Sequence, residues 1–352
     1  MGLQAEQIAD IVLMVKDAED RGTYTLLTTE LQKYPAMQQL FKGKGRRERG
    51  GEQLSFNAMV ASNESAQTTS LFAEIDVAQA DLFKVGRIPW RHVTNYYAFD
   101  EREPILNSRP DDLVDIIKGR RTDCFVSLAV KFEDWFWENP TGSEASDDAP
   151  PFGIKYWVGR SNTDTTGAFQ GDGTNAGPVS TISAGAAGLS SLTYPNWQNY
   201  SVGYDAVTED DFIARLDKAA WSCDFTNPVA IPGAMNSNYG YYTVYSVFAS
   251  MRKIARDRND DLGFDLESRS PTYMGGQIMA VPYLTSNDST QNPFYGIDWS
   301  VFKPVFLRGE WMKEVTVMRP GKQHRTVVIF IDSTLNIECK NRRKLFVLYT
   351  GY

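Results

Sequence analysis

Histidine is nearly absent from this chain. Only His92 and His324 occur in 352 residues, and neither is flanked by a recognisable nucleophile or by metal-ligand spacing, so a histidine-centred triad has no candidate. Cysteine is scarce too. Cys124, Cys223 and Cys339 stand about a hundred residues apart, which fits neither a disulfide framework nor paired zinc knuckles. They read as reduced, buried small hydrophobes. Net positive charge is missing: the formal charge is −8 and the pI about 5.0, so no global field holds nucleic acid by counterion release. Long apolar runs are missing as well. The longest near the N-terminus, Ile11 to Val15, is closed by Asp10 and Lys16 and is too short for a signal-peptide core or a membrane span. Synthesis in the cytoplasm with no membrane partner is the expectation. The sequons at Asn63, Asn199 and Asn287 then carry no glycosylation signal.

The familiar chemical signatures are also lacking. There is no Gly-x-Ser-x-Gly, no His-Glu-x-x-His and no glycine loop ending in Gly-Lys-Ser or Gly-Lys-Thr. Gly171, Gly173 and Ala176 fit the loosest dinucleotide pattern, but no buried strand precedes them and Pro178 opposes a following helix. Asp257, Asn259 and Asp261 open like a calcium loop, yet glycine falls at the seventh place and Ser268 at the twelfth. The carboxylate pairs Asp111-Asp112, Asp147-Asp148 and Asp210-Asp211 suit helix starts and linkers. No catalytic, cofactor-binding or metal residue is nominated, and a non-enzymatic protein is expected.

What is present is ordinary globular material, 42% apolar and 23% charged, at a length that suggests about two domains. Ile8, Ile11, Val12 and Val15 place a short amphipathic helix over 5–20. The stretch 42–51 is basic and glycine-rich and reads as a loop. Over 52–72, Leu54, Phe56 and Ala58 alternate with Ser55, Asn57 and Met59, and a polar tract 62–70 follows; this reads as a two-stranded excursion. A second extended run covers 90–99. The strongest signal is 110–139, where Leu113, Ile116, Ile117, Phe125, Leu128, Phe132, Trp135 and Phe136 recur at helical intervals. Pro110 suits the first helical position and Pro140 the stop, giving a helix roughly 40 to 45 Å long.

An acidic link at 143–151, a strand at 152–158 and a long Gly/Ser/Thr loop at 159–191 are expected next. Helices follow at 208–221, with Thr208 and Asp211 as a capping pair, and at 239–257. The last eighty or so residues carry strand signals at 274–282, 315–318, 326–331, 335–339 and 345–349. The chain is α+β without internal repeats. A long hairpin and a polar arm of this kind expect neighbouring copies to bury them. The basic run Lys42 to Arg49 could touch nucleic acid, but with glycines and no interleaved aromatics it reads rather as a solvated or partner-contacting loop, and Trp137, which falls off the packed face of the long helix, is a candidate inter-subunit contact.

The order of these elements resembles the major capsid proteins of tailed bacteriophages with the Hong Kong 97 (HK97-like) fold. The resemblance covers nearly the whole chain: an arm over 5–41, an extended E-loop hairpin over 45–87 and a spine helix over 110–139. Gly188, Leu189 and Ser190 lead to a Trp-x-Asn element at Trp197 and Asn199, and Asn292 to Trp299 with Phe302 resembles the link to the peripheral sheet. The resemblance implies an N-terminal arm 1–44, an E-loop 45–88, a peripheral domain 89–204, an axial domain 205–314 and a return to the peripheral sheet over 315–352. It implies a structural protein that self-assembles into pentamers and hexamers of an icosahedral head around double-stranded DNA. The DNA would be held on the inner face without sequence specificity and with no cofactor. Lys42, Arg46, Arg47 and Arg49 would pair with acidic groups of a neighbour. Partners implied are a portal and, because no long N-terminal scaffold-like segment is present, a separately encoded scaffolding protein; a decoration protein is compatible. Other readings are a tail or baseplate subunit, or an enzyme of unfamiliar type with its site in 159–191.

Overall fold

A computed structural model describes residues 34–42, 45–61, 66, 68–71, 81–103, 110–138, 149–160, 167–171, 185–224, 238–258, 272–318 and 325–350. The arm helix expected at 5–20, His324, and most of the polar tip, the acidic link and the 159–191 tract lie outside the described residues.

In chain order the elements are α1 (Pro35–Lys42), β1 (Arg46–Glu48), β2 (Gln53–Met59), β3 (Phe83–Pro89), β4 (Arg91–Asp100), the long helix α2 (Pro110–Trp137) and a single turn α3 (Ile154–Trp157). Next come β5 (Ala168–Gly171), β6 (Asn199–Gly203), α4 (Ala214–Cys223), β7 (Tyr239–Thr243), α5 (Tyr245–Arg258), β8 (Thr272–Tyr273), β9 (Gly276–Ala280) and α6 (Pro282–Asn287). The chain closes with β10 (Phe294–Asp298), β11 (Phe302–Leu307), β12 (Lys313–Met318), β13 (Thr326–Cys339) and β14 (Phe346–Tyr349). Two compact units result, one from residues 1–50, 91–136 and 304–336, the other from 51–90, 137–303 and 337–352.

The first unit lays α2 on a sheet ordered β1-β11-β13-β12, with β4 pairing β13 antiparallel from Arg91 to Asp100. The helix repeats Ile117, Cys124, Leu128, Phe132 and Phe136 on one buried stripe, and Ile117 and Cys124 meet Tyr97, Phe99, Val327, Ile329 and Ile331 of the sheet. Arg121 reaches from the helix to one oxygen of Glu314 on β12 through Nε (2.9 Å) and Nη2 (2.7 Å), both side chains nearly buried. The buried Glu133 carboxylate accepts the backbone N–H groups of Ala36 (3.3 Å) and Met37 (2.8 Å). Those donors belong to the first turn of α1 and have no partner within their own helix, so Glu133 caps α1 and ties it to α2.

The second unit is built on a seven-stranded sheet, β5-β6-β14-β10-β7-β9-β8. One face packs Tyr200, Val202, Tyr241, Phe294, Phe346 and Leu348 against α4 (Leu216, Ala219, Cys223) and α5 (Val247, Phe248, Met251). Trp137 is fully buried in this unit, with its ring 5.4 Å from Tyr242 and 5.9 Å from Tyr295. Arg342, 1% exposed, anchors the sheet's flank by donating to the carbonyls of Trp157 (Nε, 2.7 Å) and Trp197 (Nη1, 3.0 Å) and to Asn199 Oδ1 (Nη2, 3.2 Å). Asn199 in turn bonds both ways with the backbone of Gly159, at 2.9 and 2.8 Å. Arg342 and the Asn199 of the Trp-x-Asn element therefore clamp three segments together and satisfy buried backbone groups at 157–159 and at Trp197.

Several expectations need correction. The run 152–158 forms a helical turn, because Phe152 stacks flat on Tyr156 (3.9 Å between rings), an i,i+4 contact that a strand does not supply, while buried Lys155 pairs with Asp288 at 2.5 Å. Residues 239–243 form a central strand before the helix. Tyr239 and Tyr241 stack on one face and Tyr242 points to Trp299 on the other, a period of two. Thr208 makes no capping bond; Asp211 instead accepts the N–H groups of Asp205 (2.7 Å) and Ala206 (2.9 Å) as the chain enters α4 through a wider π-type turn. The return strand of the excursion is β3, later than 52–72. The strands expected at 326–331 and 335–339 are one, β13. Within the two compact units, β6 and β14 go together in the second, β14 pairing with β6 in parallel and with β10 antiparallel.

Arg342→Met should cost about 3 kcal/mol of stability, since three buried acceptors lose a charged donor; a denaturant midpoint unchanged from the native protein would contradict the clamp. The three thiols are buried and free. Burial pushes Cys124 up to about 11 and Cys339 up to about 12, and shifts Cys223 the same way. At pH 8 iodoacetamide should modify none of them until denaturant is added, as mass spectrometry would read.

Candidate assembly surfaces

The β2–β3 hairpin has two different faces. Leu54, Phe56, Ala58, Gly86 and Ile88 point inward and are buried. The Phe56 ring lies 6.2 Å from both Trp157 and Trp197, the two residues whose carbonyls Arg342 holds. Across the ladder Phe56 faces Gly86, and a Cβ there would stand 2.7 Å from the Phe56 ring; glycine is required for the ring to lie over the strand. The expectation that neighbouring copies must bury the hairpin is thus corrected at its paired strands: the chain's own second unit seats them. The outer face is different. Met59, Phe83 and Val85 are 58%, 60% and 51% exposed, Met59 and Phe83 directly opposite each other, and they form an apolar row that nothing in the subunit covers among the described residues.

The nominated basic residues do not form a loop. Arg46, Arg47 and Glu48 make β1, which pairs in parallel with Val305, Phe306 and Leu307. Gly45 marks a close approach, since a Cβ there would run into the Phe306 ring; Phe306 packs on Trp311 and Trp311 on Phe132 of the long helix. Arg46 forms an ion pair with Glu48, while Arg47 and Arg49 are exposed. Lys42 ends α1, and its side chain lies outside what is described. Charges along an edge strand oppose unwanted strand pairing, so these residues have a local role whatever they meet in an assembly. Trp137 does not stand off the packed face. Its ring is enclosed by the second unit and offers no surface to a neighbour.

Sequence reasoning passed over a further exposed patch. In the first unit, Tyr96, Phe330 and Val315 line up across β4, β13 and β12 on the sheet face opposite α2, with Val317 beyond; Tyr96 is 63% exposed. The signal was alternation in which both parities are apolar.

Chemistry-bearing clusters are not seen. Among the described residues no three of His, Cys, Asp and Glu converge to hold a metal ion, and no helix is long and apolar enough to cross a membrane. His92 is exposed and its Nδ1 is 2.9 Å from Thr334 Oγ1. A cavity of about 180 Å³ in the second unit is lined by Asp224, Tyr239, Tyr241, Met274 and Phe346 among others. Burial, then the charges of nearby groups, raises the pKa of Tyr239 and pushes Tyr241 up to about 12, so neither phenol of the cavity ionises near neutral pH.

No family model matches the chain and no curated protein matches it. Among solved structures, a cyanophage A-1(L) capsid asymmetric unit aligns with a TM-score of 0.60 at 12% identity, over 90% of this chain and 92% of that one. The capsid of a native GTA particle aligns with a TM-score of 0.55 at 11% identity, over 89% and 90%, and that of an empty GTA particle with 0.53 at 11%, over the same shares. The chain has the α+β, HK97-like fold of phage capsid subunits.

Gly86→Ala keeps an allowed backbone and adds one methyl against Phe56, so it should cost about 1 to 3 kcal/mol of stability through overpacking. A melting curve superimposable on that of the native protein would contradict the seat.

Proposed function

We propose that this chain is the major capsid protein of a tailed phage, assembling as pentamers and hexamers into an icosahedral head that encloses double-stranded DNA. The observation that carries the reading is the hairpin, whose inner face is seated on its own subunit while its outer face presents Met59, Phe83 and Val85. An apolar row held out on a fixed ladder has no use in a monomer and suits contact with a second copy. The fold shared with phage capsid subunits supports the same conclusion.

In this reading the long helix belongs to the peripheral domain, 89–204, and α4 and α5 to the axial domain, 205–314. Arg47 and Arg49 meet acidic groups of a neighbour. The protein is made in the host cytoplasm and ends in the virion, with a separate scaffolding protein and a portal as partners, and DNA on the inner face bound without sequence specificity. It assigns no catalytic, cofactor-binding or metal residue.

Purified protein, alone or with its scaffold, should give closed shells or capsomer-sized rings by electron microscopy; tubes alone, or a monomer under every assembly condition, would contradict the reading. Replacing Met59, Phe83 and Val85 by Glu should leave the circular dichroism of the subunit unchanged and raise the concentration needed for assembly about tenfold or more, each 1.4 kcal/mol of lost contact being a factor of ten.

A further inference from the structure

Two helices of the second unit present outward stripes of opposite charge. On α4 and its flanks, Asp210, Ala214, Asp217, Trp221 and Asp224 recur at steps of four and three, and all five are exposed. Trp221 is 81% exposed, the largest aromatic surface among the exposed hydrophobic side chains. The inner positions of the same helix, Leu216, Ala219, Ala220 and Cys223, are buried, so Trp221 is not a stray core residue. Lys218 is exposed beside this stripe, Arg215 is committed to Asp211 at 2.5 Å, and Asp217 keeps its exposed position while one of its oxygens accepts the Tyr273 hydroxyl within the subunit.

On α5, Tyr245, Ala249 and Lys253 form an exposed line, with Tyr245 63% exposed and Arg252 alongside, its guanidinium 5.9 Å over the Phe248 ring. The helix goes on through Arg256 and Arg258, with Asp257 between them. One stripe is therefore an aromatic anchor among carboxylates, the other an aromatic anchor among cations.

We propose that the α4 stripe of one copy docks on the α5 stripe of a second copy of this chain. Charge complementarity selects this occupant. The acidic stripe repels its own like, which disfavours a two-fold contact between identical patches, and the matching cations are on the same chain. Contact between two different patches is head-to-tail, and such contacts close into rings when the rotation per copy divides a full turn. Trp221 fits the anchor of the contact, since exposed tryptophan is the residue type that most often carries binding energy at such surfaces. This inference rests on the proposed self-assembly and names the surface through which the second unit takes part.

The test uses the full chain in three forms. Variant one carries Asp217→Lys and Asp224→Lys, variant two carries Arg252→Glu and Lys253→Glu, and variant three carries all four changes. Circular dichroism and thermal melting report folding; sedimentation and electron microscopy report assembly. Each single reversal should raise the assembly threshold about tenfold or more, and variant three should recover most of it, because the pair is restored with its signs exchanged. Trp221→Ala should weaken assembly to a similar degree with the melting temperature unchanged. Carbodiimide coupling of particles mixed from heavy and light chains supplies a second readout that needs no variant: a linked peptide joining Lys253 of one copy to Asp217 or Asp224 of the other. Assembly by the native chain that neither reversal disturbs, or reversals that block assembly without recovery in variant three, would overturn the docking and leave the capsid reading standing. Were a variant unfolded, the linked peptide decides: its presence supports the docking and its absence overturns it. A native chain that never assembles would overturn both.

Discussion

The buried guanidinium of Arg342 is the interaction on which most of the second unit's flank depends. It gathers two backbone carbonyls and one side-chain amide from segments that are far apart in sequence, and the two carbonyls belong to Trp157 and Trp197. Those two rings make the floor on which Phe56 seats the hairpin. A buried cation is costly unless its donors are occupied, so the floor and the clamp form together or not at all. The hairpin's outer face, the surface the proposed function uses, is thereby set by a contact on its opposite side.

The first unit solves a similar problem with carboxylates. Glu133 holds the start of α1, and Glu314 accepts Arg121 from the middle of α2, so the helical layer is tied to itself and to the sheet by charged groups. Aromatic contacts continue this pattern from Gly45 through Phe306 and Trp311 to Phe132. Rigid packing of this kind leaves the exposed rows, Tyr96 with Phe330 and Met59 with Phe83, as fixed features of the surface.

Much of the scaffold was legible in the sequence because its signals are local. The long helix was placed within two residues at its end, since 3.6-residue periodicity survives over twenty-eight positions. The alternation over Leu54, Phe56 and Ala58 gave the inner face of β2 correctly. Errors arose where a distant partner decided the outcome. Arg46 to Glu48 looks like a loop until Val305 to Leu307 supplies a parallel partner, and Tyr239 to Thr243 scores as helix until β9 and β10 flank it. Trp137 was nominated as a contact because helical spacing shows which way a side chain leaves the helix; it does not show what lies there. The outer row was half visible: Met59 sits at the polar parity of its strand, an anomaly that only the pairing with Phe83 makes meaningful.

Function enters through surfaces in this protein, and the account stands or falls on the hairpin being seated before any second copy arrives. Hydrogen exchange on the unassembled subunit tests that directly. The ladder amides of β2 and β3 should be protected in the native subunit and should exchange much faster in Arg342→Met, with the first unit's sheet unchanged. Exchange of those amides at unstructured rates in the native subunit would contradict the account.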